Sequence, residues 1–404
     1  MIQPVKKKIK ERHPTLVKKE SYRTLLIDGG SLLMMAFKDD KTNSDGVHYG
    51  GIFQFLLQIR MMLTKGKFEY VVVVFDQEFS GYLRYQIYPQ YKSNRDKHYS
   101  DYAPSEYMKT YNENLRRMQN YIFSKSKPSK RLPPEERKKD PWKEFVDANF
   151  TREMNILREM FEELFIRCYT DDIVEGDDLI SYYCHNKEDN EKIIIMTGDQ
   201  DIMQLLSDDV CVYYTHHDFK KFITVKNFQE NFGYHPKNIL TKKILCGDVS
   251  DNIANIKGLS EQGLFAMMPA MRTKYVSVED VRKEAELLIE ERKRDKKKPL
   301  QVHENIINGV SNKEYISDFY DINDKIINLD NPLLTHEAEE AMQSIMHTPI
   351  DPDGRSMANL YEIVTREKLE EIMGESRFAS FFAPFKQLEE TEKKRYEKYL
   401  QENN

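Results

Sequence analysis

Nine acidic side chains spread between Asp28 and Asp251 carry the chemistry open to this chain: Asp28, Asp76, Glu175, Asp177, Asp178, Asp199, Asp201, Asp248 and Asp251. Carboxylates gathered into one small volume cannot all stay ionised unless cations neutralise them. Hard divalent ions with oxygen ligands, Mg²⁺ or Mn²⁺, answer such a set, and pairs of them serve phosphodiester hydrolysis. That reaction needs no Ser–His–Asp or Cys–His nucleophile, and the ten histidines show no metal-ligand spacing. Cys168, Cys184, Cys211 and Cys246 are far apart with no Cys-x-x-Cys pair, which argues against zinc and against a disulfide framework and fits a reducing cytoplasm.

Three of the acids close apolar runs, at 24–28, 71–76 and 193–199. Such runs predict buried parallel strands. In open α/β sheets ligands bind beyond the carboxyl ends of the strands, so these acids would meet there. Ile52, Phe55, Leu56, Ile59 and Leu63 have helical spacing and supply a crossover between the strands ending at Asp28 and Asp76. Further helices are expected near 150–165, from Glu175, and briefly after Asp201, with strands at 192–196, 210–214 and 222–225. From Pro236 the pattern is mainly helical. The expected organisation is a basic tail (1–20), an α/β core with a mostly parallel central sheet flanked by helices (21–235), an insertion within it (96–149), and a helical C-terminal domain (236–404).

Each acidic motif alone has a structural explanation. In Glu175-Gly176-Asp177-Asp178, acids at a helix start complement the macrodipole. If the motif opens a helix, however, Glu175 and Asp178 share a face, and Asp177 is rotated about 100° toward a second ion or water. Asp201 could be a helix cap, which leaves Asp199 unexplained. Asp248 and Asp251, three apart before Asn252, fit turn chemistry. The joint occurrence of these motifs, interleaved with apolar strands, has no such explanation.

The net charge of −6 does not exclude a polyanionic partner, since removing nine metal-answered acids leaves a remainder of about +3. The insertion is rich in tyrosine and cations; Lys125, Lys127, Lys130, Arg131, Arg137, Lys138, Lys139 and Lys143 face only Glu135, Glu136 and Asp140 there. Cations for phosphates and rings for bases are what gripping a single strand requires. No apolar stretch approaches the ~18–20 residues that span a bilayer. The N-terminal lysines precede no apolar segment, so no secretory signal is expected.

In this order the motifs resemble the structure-specific 5′-nucleases: flap endonucleases, phage 5′-exonucleases and the 5′-nuclease domains of bacterial DNA polymerases I. The similarity is greatest to the T-even phage branch of ribonuclease H type, and it runs from about residue 22 to about residue 258. It implies that Asp28, Asp76, Glu175, Asp178 and Asp199 form an inner metal site, with Asp177, Asp201, Asp248 and Asp251 holding a second ion or acting through water. Two Mg²⁺ ions are implied, with Mn²⁺ as a substitute. In Tyr91-Lys92-Ser93-Asn94-Arg95, the family pattern puts Lys92 and Arg95 on the scissile phosphate, where cations stabilise developing charge. Tyr91 could stack on a terminal base or fill the core. Tyr82 and Arg84 extend the match as nucleic-acid contacts.

The insertion corresponds to the family's arch, with Lys125, Lys127, Lys130 and Arg131 on the strand, and Lys257 lies in the duplex-gripping hairpin. There Asn255 and Ser260 stand where relatives have glycine. Asn255 is expected to take a left-handed conformation in glycine's place, and Ser260 to substitute only at a cost, which counts against a K⁺ site.

The resemblance implies a metal-dependent 5′→3′ exonuclease or flap endonuclease that removes RNA primers and adjacent DNA during phage replication in the bacterial cytoplasm. Its substrates would be DNA and RNA–DNA hybrid with 5′ ends or flaps. A single-strand-binding protein and a sliding clamp are the expected partners of a monomer with no membrane association. A PIN-type ribonuclease and a non-catalytic DNA-junction binder remain as rivals. The first is generally shorter with fewer acids, and the second would not need every carboxylate.

Overall fold

The computed structural model describes residues 22–77, 80–93, 141–216, 220–313, 318–374 and 377–403. Arg95, Lys125, Lys127, Lys130 and Arg131 lie outside the described residues.

Six strands form one sheet: β1 (Thr24–Asp28), β2 (Tyr70–Asp76), β3 (Arg167–Asp171), β4 (Ile193–Thr197), β5 (Val210–Tyr214) and β6 (Lys221–Ile223). Their order is β3-β2-β1-β4-β5-β6, and every pairing is parallel except β5 with β6. Leu25 stands beside Val71 on one side and Ile194 on the other. The central strands are unbroken apolar runs because both faces are covered. Leu25, Ile27, Val71, Val73 and Phe75 enter one core, while Leu26, Val72, Val74, Ile193 and Ile195 enter another.

The helices are α1 (Gly29–Ala36), α2 (Gly50–Lys65), α3 (Tyr82–Ile87), α4 (Pro141–Glu163), α5 (Gly176–His185), α6 (Val225–Phe232), α7 (Asn238–Cys246), α8 (Glu261–Met267) and α9 (Val278–Arg294). They continue with α10 (Gln301–Asn308), α11 (Phe319–Ile327), α12 (His336–His347), α13 (Met357–Arg366), α14 (Glu370–Met373), α15 (Phe378–Phe382) and α16 (Lys386–Asn403). Helices α1, α2 and α4 cover the first face through Leu33, Phe55, Leu157 and Phe161, and α5 covers the second through Leu179 and Ile180. Helix α4 begins nine residues before position 150, with proline in its first turn where a missing N–H costs nothing. Its early residues Phe145 and Val146 are buried in the first core.

Most of the helices after Pro236 pack into the two cores of the sheet, and α11 also closes a small third cluster in which Ile322, Ile326 and Ile327 meet Tyr88, Tyr91 and Ile253. Ile239, Leu264, Val281, Ile306, Phe319 and Met342, from α7 to α12, join the second face. Leu360, Val364, Phe382, Phe385 and Leu388, from α13 to α16, cross to the first.

Candidate metal centre

Strand order reverses between β1 and β4, where the crevice of an open α/β sheet lies. Asp28 ends β1 there and caps α1: its Oδ1 accepts the Ser31 N–H at 2.9 Å, and its Oδ2 accepts the Thr197 hydroxyl at 2.6 Å. Thr197 ends β4, so this bond ties two strand ends together. The Thr197 hydroxyl also accepts the Asp199 N–H at 2.9 Å, and Asp199 Oδ1 accepts the Asp201 N–H at 2.8 Å. Asp76, at the end of β2, accepts the Gly176 N–H at 2.6 Å and so fixes the start of α5 above the sheet.

Asp28, Asp76, Glu175, Asp177, Asp199, Asp201 and Asp251 line one cavity of about 180 Å³. Asp248 lines a neighbouring hollow of about 620 Å³ that shares Asp199 and Asp201. Asp178 lies beneath, on α5, and lines neither.

Three cations divide these acids. Arg84 is buried, pairs through both terminal nitrogens with Asp178, and reaches Glu175 Oε2 at 2.9 Å. Its Nε donates to the Ile326 carbonyl at 2.8 Å. Lys92 pairs with Glu175, and its backbone N–H donates to the Asp251 carbonyl at 2.9 Å. The Tyr91 hydroxyl donates to Glu175 Oε2 at 2.8 Å. Lys243 joins Asp201 to Asp248, the latter at 2.7 Å. Among the described residues, Asp28, Asp76, Asp177 and Asp199 have no ion pair.

Proton affinities follow this division. Burial pushes Asp28 up to about 7, with repulsion from Asp76 and Asp199 adding to it against the Thr197 and Ser31 hydrogen bonds. Asp76 is raised by burial and then by Glu175. Asp177 is raised well above the carboxylate range by burial and by Asp199, Asp28 and Asp76. Burial takes Asp201 to about 6 despite Lys243. Burial acts against ionised Glu175 too, yet Arg84 and Lys92 hold it at about 2. Lys243 likewise outweighs burial at Asp248 and holds it at about 2.

Among the described residues, no three carboxylates close on a common point. The donor set is all oxygen, and the acids without cation partners are those whose ionised forms are most disfavoured. A hard divalent cation would relieve both conditions, so the site fits such an ion.

The family profile described as the 5′–3′ exonuclease N-terminal, resolvase-like domain matches residues 23–233, over half of the chain. This chain belongs to that 5′–3′ exonuclease family. A DNA polymerase I of Bacillus subtilis is 25% identical over 248 residues, covering 60% of this chain and 23% of that protein. A 5′–3′ exonuclease of Mycoplasmopsis pulmonis is 38% identical over 90 residues, 22% of this chain and 30% of the relative. The chain thus spans about a quarter to a third of the length of these curated relatives. A bacteriophage T5 5′-exonuclease with bound zinc ions superposes with a TM-score of 0.49 at 14% identity, covering 86% of this chain and 100% of that one.

The remaining residues singled out in this family member occupy varied settings. Tyr82 is exposed on α3, while Arg84 and Tyr91, on the same approach, are buried and bonded to acids. Lys257 is exposed. Asn255 stays out of the left-handed region and instead donates to the Ile256 and Leu259 carbonyls at 3.0 and 2.9 Å. Ser260 stands at φ −106°, ψ 161° and caps α8 by accepting the Gly263 N–H at 3.0 Å. The expected cost of serine there does not arise, because this turn places its positive φ at Gly258. Sequence reasoning missed Lys243 and Thr197. Lys243 lies five residues before Asp248 on a helix pointing at it, and Thr197 immediately precedes the Gly198-Asp199 pair.

Proposed function

We propose that this chain is a divalent-metal-dependent 5′-nuclease acting on phosphodiesters near the 5′ ends of DNA and RNA–DNA hybrids. The observation that supports it best is the group of four carboxylates without cation partners at the switch point, facing Lys92 across one cavity. Asp28, Asp76, Asp177 and Asp199 would hold the ions, with Glu175 and Asp201 beside them. Two Mg²⁺ ions, or Mn²⁺ in their place, would supply an activated water and neutralise charge on the attacking and leaving oxygens.

Asp178 is assigned to holding Arg84, since Arg84 and the Leu333 N–H at 3.1 Å take up its oxygens. Arg84 in turn orients Glu175. Lys92 carries a charge into the cavity on a backbone fixed to Asp251, and an entering phosphate offers it an anionic oxygen. Tyr82 lies exposed two residues before the cavity-lining Arg84 and would offer a surface for an unpaired base. In its biological setting the enzyme would remove RNA primers and adjacent DNA in phage replication inside a bacterial host, alongside a single-strand-binding protein and a sliding clamp.

A 5′-labelled RNA–DNA/DNA flap substrate tests the reading. Short 5′ products are expected with Mg²⁺ and none with EDTA, and Asp199→Asn should lower the rate at least ~100-fold, the scale of losing an electrostatic stabiliser. Intact substrate in both arms would overturn the enzymatic reading and leave a junction binder.

A further inference from the structure

Helices α9 and α10 form a hairpin standing on the loop that carries Asp248, Asp251 and Lys257. Its base is fixed: Asn305 Nδ2 donates to the Lys257 carbonyl at 2.8 Å, and the Lys257 N–H donates to the Val310 carbonyl at 2.9 Å. Val281, Ala285 and Ile289 bury one stripe of α9, and Val281 and Ala285, with Ile306 of α10, enter the second core and fix the lower part of the hairpin to the body. At the far end, Arg292, Lys293, Arg294, Lys296, Lys297 and Lys298 surround a single acid, Asp295.

This turn has a definite shape. The Lys297 N–H returns to the Arg292 carbonyl at 2.8 Å, the Lys296 N–H to Lys293 at 3.0 Å, and Arg292 Nε to the Lys298 carbonyl at 2.8 Å. Lys296 holds φ 58°, a left-handed conformation that a side chain makes costly. Lys297 pairs with Asp295 at 3.0 Å, while Lys293, Arg294, Lys296 and Lys298 have no acidic partner among the described residues. Six cations fixed on one turn repel one another, and a polyanion relieves that repulsion.

Charge along the hairpin decides the direction of approach. Below the tip, α9 carries Glu279, Asp280, Glu284, Glu286, Glu290 and Glu291 against Arg282 and Lys283, whereas α10 carries Glu304 alone. A polyanion is therefore admitted along α10. That helix has eight residues, so the tip stands about 12 Å from the base, where Lys257 is exposed. One strand of a duplex presents a phosphate about every 3.4 Å of axis, so the two cationic points are about three to four phosphates apart.

We infer that the 292–298 turn is a second phosphate-backbone contact that works with Lys257 to grip the duplex arm of the substrate outside the carboxylate cavity. The inference rests on the nuclease reading above. The test is fluorescence anisotropy in EDTA with labelled flap substrates carrying a long or a short duplex arm, compared across salt concentrations. The triple variant Lys296→Glu, Lys297→Glu, Lys298→Glu should bind the long-arm substrate about tenfold or more weakly, with a salt slope lower by about 2–3.

The neutral Lys→Gln triple should reproduce the slope change, and binding of the short-arm substrate should not change in either variant. An unaltered melting temperature checks that the exposed turn has not disturbed the fold. Equal binding by wild type and variant on the long arm overturns the inference and leaves an acidic protein partner as the turn's ligand. Equal loss on both arms also overturns it, as a bulk charge effect. Failure of the wild type to bind either substrate would instead defeat the nuclease reading, and this inference with it.

Discussion

At the scale of single residues, the site is a set of carboxylates sorted by which of them have a cation. Asp28, at about 7, and Asp201, at about 6, keep protons in the folded metal-free protein that ordinary aspartates have lost. Between about pH 4 and pH 7 the native state therefore binds more protons than the unfolded chain, and stability falls as pH rises through that window. Glu175 and Asp248, held at about 2, act in the opposite sense: their contribution is complete above the ordinary carboxylate range and is lost as pH falls toward 2. In EDTA the melting temperature should be higher near pH 5.5 than near pH 7.5, by about a few degrees. Asp28→Asn should flatten that dependence, and Mg²⁺ should raise the value near pH 7.5 most. Calorimetric scans at the two pH values check this, and a melting temperature that rises toward pH 7.5 in EDTA would contradict it. Lys92 shows the same economy in its backbone, for it holds φ 51° beside the acid it pairs with, a strain that the Asp251 contact maintains.

At the scale of elements, the sheet edge and the last helix are one unit. The Arg167 guanidinium on β3 meets both oxygens of Glu392 on α16, at 2.5 and 2.9 Å, and both side chains are buried. Removing one partner strands the other charge in the interior, so Glu392→Ala should cost about 3–5 kcal/mol in urea unfolding. Glu389→Ala, which removes an exposed pair with Lys393, should cost below about 1 kcal/mol. Similar losses for the two variants would show that the clasp is not structural. This pair also shows where the sequence was legible. Strands β1, β2 and β4 were readable because burial on both faces makes them continuous apolar runs ending in acids. Strand β3 was not, because an edge strand reading Arg-Cys-Tyr-Thr-Asp has neither an apolar run nor clean alternation, and its partner is 225 residues away. The setting of Arg84 was illegible for a like reason: Asp178 and Ile326, which bind its guanidinium, lie 94 and 242 residues away in the chain.

At the scale of the whole molecule, the α/β region and the helices after it share the two cores of the sheet. A fragment of residues 22–235 would keep Asp28, Asp76, Glu175, Asp177 and Asp199, yet it would uncover both faces of its sheet. Leu360, Val364, Phe382, Phe385 and Leu388 would leave one face, and Ile239, Leu264, Ile306 and Phe319 the other. At about 1.5–3 kcal/mol for each buried side chain, that loss exceeds the ~5–15 kcal/mol by which domains are stable. Polar closures would go too, since Arg84 Nε would lose the Ile326 carbonyl and Arg167 would lose Glu392. The full chain should therefore unfold in urea in one transition, with near-ultraviolet and far-ultraviolet circular dichroism changing together. The fragment should bind a hydrophobic dye and show no cooperative transition. A fragment that unfolds cooperatively by itself would mean that the later helices are an appended module. In that case the cavity would owe its shape to the strand ends alone, and the contacts from α11 would be incidental to it.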